Sequence, residues 1–214
     1  MNQRLKTISQ FIGAITGVFA IALQLFLILI NVSDSTPGYL EEIIRFISYM
    51  TIQVNIMIAL RFITSLAFID SAVGKFLAKP SAQTALFVYI FVVGISYHFL
   101  LADIWNPIGW QYVADKLLHY TMPIIYCLYW IIFGDKRLQP VANVFVWLLY
   151  PVTYFVYSLC RGMISNFYPY PFIDANELGY GLVFRNGVGL LICYLILGLI
   201  LLFVNNRSRK NSIA

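Results

Sequence analysis

Apolar residues dominate six runs of this chain, at about 11–30, 43–69, 84–104, 113–133, 141–159 and 182–204. A helix crosses the hydrocarbon core of a bilayer in about 20 residues, and each run reaches or approaches that length. Turn-forming residues separate the runs: Asp34-Ser35-Thr36-Pro37-Gly38, Lys79-Pro80, Asn106-Pro107-Ile108-Gly109, Gly134-Asp135 and Tyr168-Pro169-Tyr170-Pro171. The pattern predicts an all-α protein, a polytopic membrane helix bundle of six transmembrane helices. The connections are short, so residues 1–214 read as one integral membrane domain with nothing left for a separate soluble one.

Charge adds an orientation. Nine of the fourteen basic residues fall at one set of alternate ends: Arg4 and Lys6, Lys75 and Lys79, Lys136 and Arg137, then Arg207, Arg209 and Lys210. Arg45, Lys116, Arg161 and Arg185 fall at the other, and Arg61 is stranded inside the second run. Short loops rich in Lys and Arg stay in the cytoplasm, so both termini are expected there. The outward side receives seven of the nine acids: Asp34, Glu41, Glu42, Asp103, Asp115, Asp174 and Glu177.

Composition agrees, with 61% hydrophobic and 11% charged residues, where a soluble domain carries roughly a quarter charged. The net charge of +5 is mostly the inside bias and suits anionic headgroups, not nucleic acid. Arg4 and Lys6 before an apolar stretch also resemble a secretory signal. The stretch is too long for that and no small-x-small cleavage site follows, so it reads as a retained span. Cys127, Cys160 and Cys193 lack paired spacing, which points to small apolar core residues and no metal site. Gly13-x-x-x-Gly17 permits close helix approach. A homo-oligomer is compatible with the sequence and is not specified by it.

Ionisable groups inside a membrane are costly and mark sites by default. His98 and His119 each lie about six residues from an outward end, a depth of about 9 Å, and Thr51 comes out near 12 Å. Asp115, His119, Met122 and Tyr126 share a helix face. An Asp one turn before a His fixes its tautomer by accepting the second ring proton, although Asp115 also suits a helix cap. Pro123 cannot donate to the carbonyl of His119, so a kink is expected there. Thr51 and Asn55, one turn apart, suit a nucleophile and an oxyanion donor, while a membrane Thr often bonds its own helix, here at Ile47. Arg161, Tyr170 and Arg185 are further candidates for substrate or oxyanion contact. Arg61 is expected to snorkel inward or to pair with Asp70. The segment from 160 to 181 reads as an interfacial aromatic belt or a lid. No phosphate loop, H-E-x-x-H, G-x-S-x-G or dinucleotide fingerprint occurs, so any catalysis uses an unusual nucleophile.

Three stretches carry a family resemblance: Ser48-Tyr49-Met50-Thr51-Ile52-Gln53-Val54-Asn55, Asp115-Lys116-Leu117-Leu118-His119-Tyr120-Thr121-Met122-Pro123, and Tyr168-Pro169-Tyr170-Pro171-Phe172-Ile173-Asp174. They resemble the androgen-induced and androgen-dependent membrane protein family and its bacterial relatives, over nearly the whole chain. Asp115 stands where the animal proteins have a neutral polar residue, and the Tyr-Pro run is closer to the bacterial ones. The resemblance implies a threonine hydrolase that cleaves fatty-acid esters of hydroxy fatty acids inside a bacterial cytoplasmic membrane. Thr51 would be the nucleophile, His119 the base and Asp115 its orienter, with no cofactor. Two other readings remain open: a transporter or non-catalytic lipid-binding protein, and a haem held by His98 and His119.

Overall fold

All six apolar runs fold as helices. The computed structural model describes residues 2–33, 37–135 and 137–211, with side chains to 207. Asp34, Ser35, Thr36 and Lys136, and the side chains of Arg209 and Lys210, lie outside the described residues. Six described helices are long and apolar enough to cross a membrane. Rows of large apolar side chains stay exposed on them, such as Phe11, Ile15 and Phe26 or Phe145, Leu149 and Val156. A contiguous apolar surface of that kind is stable against lipid and not against water. The chain is an integral, multi-pass, all-α membrane protein.

The helices group into two compact units, Met1–Asp135 and Lys136–Ala214. The first contains α1 (Gln3–Ile30), α2 (Tyr39–Ser48), α3 (Met50–Ala67), α4 (Ala72–Leu77), α5 (Pro80–Leu100), α6 (Gly109–Lys116) and α7 (Met122–Phe133). Its interior is built on α3 and α5, which are more than half buried, while most of α1 is not. Gly13 and Gly17 let α1 lie directly on α3. A Cβ at Gly13 would stand 2.3 Å from the Phe62 ring, and one at Gly17 would stand 3.1 Å from Ala59. Phe62 in turn meets Tyr126 and Tyr129 edge-on, with ring centroids 5.8 and 5.0 Å apart. Side-chain bonds fix the antiparallel order: Gln10 Nε2 donates to Tyr129 Oη at 2.9 Å near one end, and Gln111 Nε2 to Gln24 Oε1 at 2.7 Å nearer the other.

The run at 43–69 is not one helix. Tyr49 is extended (φ −75°, ψ 126°) and divides it into α2 and α3. Neither Pro nor Gly marks the break. Its carbonyls are nonetheless satisfied, because Gln53 donates from its amide to Tyr49 O at 3.1 Å and from Nε2 to Ile47 O at 3.0 Å. The consequence for the site is direct. Thr51, expected some eight residues into a helix, is the second residue of α3.

The second unit contains α8 (Ala142–Ser165), a 3₁₀ turn (Pro171–Ile173) and α9 (Ala175–Asn211). Gly179 kinks α9 near its start with φ 71°, a conformation that glycine takes without a Cβ penalty. The Tyr-Pro run is folded onto this unit and does not stand away from it as a free loop. Tyr168 lies on Gly162, where a Cβ would meet its ring at 2.0 Å. Phe172 O accepts from Asn186 Nδ2 at 2.9 Å, and Asp174 Oδ1 accepts from Asn176 N at 2.9 Å. Cys160 and Cys193 are exposed on these helices and are not core residues.

Candidate active site around His119

Between α6 and α7 the backbone widens into a π turn, Leu117–Thr121. Proline chemistry and side-chain donors together explain how it holds. The amide of Met122 bonds to Leu117 O, five residues back. The carbonyl of Leu118 would next take the amide of residue 123, but that residue is Pro123 and has none. A buried carbonyl must find another donor, and Asn55 Nδ2 supplies it at 3.2 Å from α3. Thr121 Oγ1 similarly donates to Lys116 O at 3.3 Å. Gly94 of α5 makes room on the other side, since a Cβ there would stand 3.3 Å from His119 O. The expected disturbance at Pro123 is therefore a change of helical register. Short π segments of this kind recur at functional sites.

His119 sits in the middle of this turn with its side chain 16% exposed. Nδ1 lies 3.0 Å from the backbone carbonyl of Asp115 and 3.1 Å from Asp115 Oδ1. The carbonyl oxygen can only accept, so its hydrogen bond puts the proton on Nδ1 and leaves the lone pair of the neutral ring on Nε2, with the carboxylate oxygen alongside as a charge contact. The ring also stacks on Tyr97 of α5, with centroids 3.9 Å apart and planes 14° from parallel. Ring plane and tautomer are both set.

Asp115 is not a helix cap. It is the seventh residue of α6, which starts at Gly109, and its side chain is 1% exposed. Besides its contact with His119, Oδ2 accepts from Tyr97 Oη at 2.6 Å and pairs with Lys116 Nζ at 3.3 Å. A carboxylate this buried needs such compensation. Lys116 is itself held by three rings, Tyr97, Tyr112 and Tyr120, at 5.4, 5.2 and 5.0 Å from their centroids. Tyr97 and Lys116 were not among the residues singled out from sequence, although they anchor the orienting carboxylate.

Asn55 joins the two halves of the site. It is fully buried, and Nδ2 donates to Thr51 O at 2.8 Å as well as to Leu118 O. The first turn of α3 and the turn bearing His119 are thus tied by one amide. Both Asn55 amide hydrogens are occupied by these carbonyls, so in this structure Asn55 clamps the two turns together. Thr51 is buried at the N-terminal end of α3, where the helix dipole is positive.

His98 belongs elsewhere. It follows Tyr97 on α5, so it points away from the His119 stack. It is exposed, with Nδ1 3.1 Å from Tyr120 Oη. The two imidazoles are engaged by different partners, Tyr120 Oη for His98 and Asp115 O for His119. Among the described residues no three His, Cys, Asp or Glu side chains gather as a metal centre requires. Arg161, Tyr170 and Arg185 belong to the second unit. There Arg161 lies over the Phe167 ring at 5.8 Å, Tyr170 stacks on Phe172 at 5.1 Å, and Arg185 is exposed.

Comparison with family models, with curated proteins and with solved structures finds no match to this chain.

Proposed function

We propose that this protein is an intramembrane lipid-ester hydrolase in which Thr51 is the nucleophile and His119 its general base. The observation that carries the reading is the fixing of His119. A backbone carbonyl bonds Nδ1 with a buried carboxylate beside it, which leaves the basic Nε2 free, on a turn that Asn55 ties to the backbone of Thr51. In the proposed reaction Nε2 takes the proton of Thr51 Oγ1 as that oxygen bonds to the ester carbonyl carbon. The tetrahedral intermediate collapses, the C–O bond to the alcohol breaks, and the alcohol leaves with the proton from His119. Water, deprotonated by the same Nε2, then attacks the acyl-threonine, releasing the carboxylic acid and restoring Thr51. The positive end of α3 favours the negative charge that develops at Thr51.

The substrate class follows from the family resemblance at Thr51, Asp115 and His119, which implies fatty-acid esters of hydroxy fatty acids. Membership of that family, and the bacterial origin suggested by the Tyr-Pro run, are part of the same proposal. The direct test is release of acid and alcohol in equal amounts from a long-chain ester by the purified protein in detergent. No release above a heat-inactivated control would end the hydrolase reading.

Orientation is proposed from the basic residues, with both termini and the loops at Lys75 and Arg137 in the cytoplasm. Cysteines introduced at Lys75 and Asn176 should react with an impermeant maleimide from opposite sides of the membrane. Reaction of both from one side would overturn the arrangement.

A further inference from the structure

Arg61 lies deep in the first unit and was expected either to reach the membrane surface or to pair with Asp70. It does neither. The residue is 5% exposed, and among the described residues neither Nε nor Nη1 has a hydrogen-bond acceptor. Asp70 is exposed in the turn beyond α3. An arginine in a spanning helix keeps its charge and needs an opposite charge or several acceptors. Its immediate neighbours on α3 include Ile58 and Phe62, both fully buried and apolar. Tyr126, also fully buried, is within electrostatic reach of the guanidinium.

Several donors on the neighbouring turns are already engaged. Tyr126 Oη donates to Gln83 O at 3.1 Å, and Gln83 Nε2 to Ala78 O at 2.7 Å. Thr64 Oγ1 donates to Leu60 O at 2.7 Å, and Ser65 Oγ to Arg61 O at 2.6 Å. An anion bound here would be held by one cation alone, amid aromatic and aliphatic side chains. Inorganic phosphate carries more charge and more acceptors than this can satisfy. A single carboxylate on an apolar tail matches both the charge and the surroundings.

We infer that Arg61 is a binding site for the carboxylate of a long-chain fatty acid, separate from the Thr51–His119 site. Ten residues along α3 place it about 15 Å from Thr51. The inference does not depend on hydrolysis and survives if that reading fails.

The test uses the full chain in detergent with tritiated palmitate as probe. Wild-type protein should bind it saturably, and Arg61→Met should bind at least tenfold more weakly. Hexadecanol, which has the tail without the charge, should not displace palmitate, nor should sodium phosphate. Equal palmitate binding by Arg61→Met would overturn the inference, as would displacement by hexadecanol as effective as by palmitate itself. Displacement by phosphate at lower concentration than palmitate would replace it with an inorganic-anion site. The wild-type protein gives an answer even if Arg61→Met does not fold: palmitate should raise its Tm and hexadecanol should not, and equal shifts would sink the assignment.

Discussion

Replacing either Thr51 or His119 by alanine is expected to lower lipid-ester hydrolysis by about 10³-fold or more, and replacing both is expected to do no further harm. A positioned general base supplies about 10²–10⁴-fold on its own, and loss of a covalent nucleophile removes the whole acyl-enzyme route. Residues that act as one unit show non-additive effects, because once either is gone the other has nothing left to assist. Folding should survive. Thr51→Ala removes two heavy atoms in the first turn of α3, where alanine is a good helix former. His119→Ala loses the stack on Tyr97 and the bond to Asp115 O, a cost on the order of 1–3 kcal/mol. Near-normal hydrolysis by Thr51→Ala would remove it as nucleophile. A double variant much slower than either single one would mean that the two act independently.

Asp115→Asn is expected to lower turnover by about 10²-fold or more while the protein still folds. The amide keeps the size of the carboxylate and can still accept from Tyr97 Oη, so the packing against α5 has no reason to open. It loses the charge that faces His119 Nδ1 at 3.1 Å and leaves Lys116 Nζ without its partner at 3.3 Å. It also offers N–H groups where the imidazole needs an acceptor, so only the backbone carbonyl of residue 115 still holds the tautomer. The readout is kcat on a long-chain ester, set beside thermal unfolding of the same preparations. Unchanged kcat would reduce Asp115 to a structural anchor for α5 and α6. Equal losses of kcat in Asp115→Asn and of fold in the melting curve would point the same way.

The membrane class was legible because about 20 consecutive apolar residues have few other uses in a protein. The interior of the second run was not. Tyr49 breaks 43–69 without Pro or Gly, and the freed carbonyl of Ile47 is taken by Gln53 six residues on, a local side-chain bond that hydrophobic periodicity does not signal. Counting from the assumed helix start therefore put Thr51 eight residues into a helix of which it is the second residue. Pro123 did announce an irregularity at His119. Its form, a π turn whose Leu118 carbonyl is taken by Asn55, depends on a residue 63 positions away. Asp115 and His119 were visible through helical spacing alone, because both stand on the same turn. Tyr97 was hidden because tyrosines are frequent in this chain, 15 in all, and Lys116 because a charge near a helix end reads as topology. Arg61 was conspicuous in the sequence, but only its burial shows that no described carboxylate meets it.

The central claim, that Thr51 attacks the ester, is tested most directly by finding the covalent intermediate or its mimic. Purified protein incubated with a long-chain fluorophosphonate, digested and read by tandem mass spectrometry should carry one phosphonyl group on Thr51. The adduct should be absent from Thr51→Ala and strongly slowed in His119→Ala. A modified residue other than Thr51, or full hydrolysis by protein that never becomes labelled at Thr51, would contradict the account.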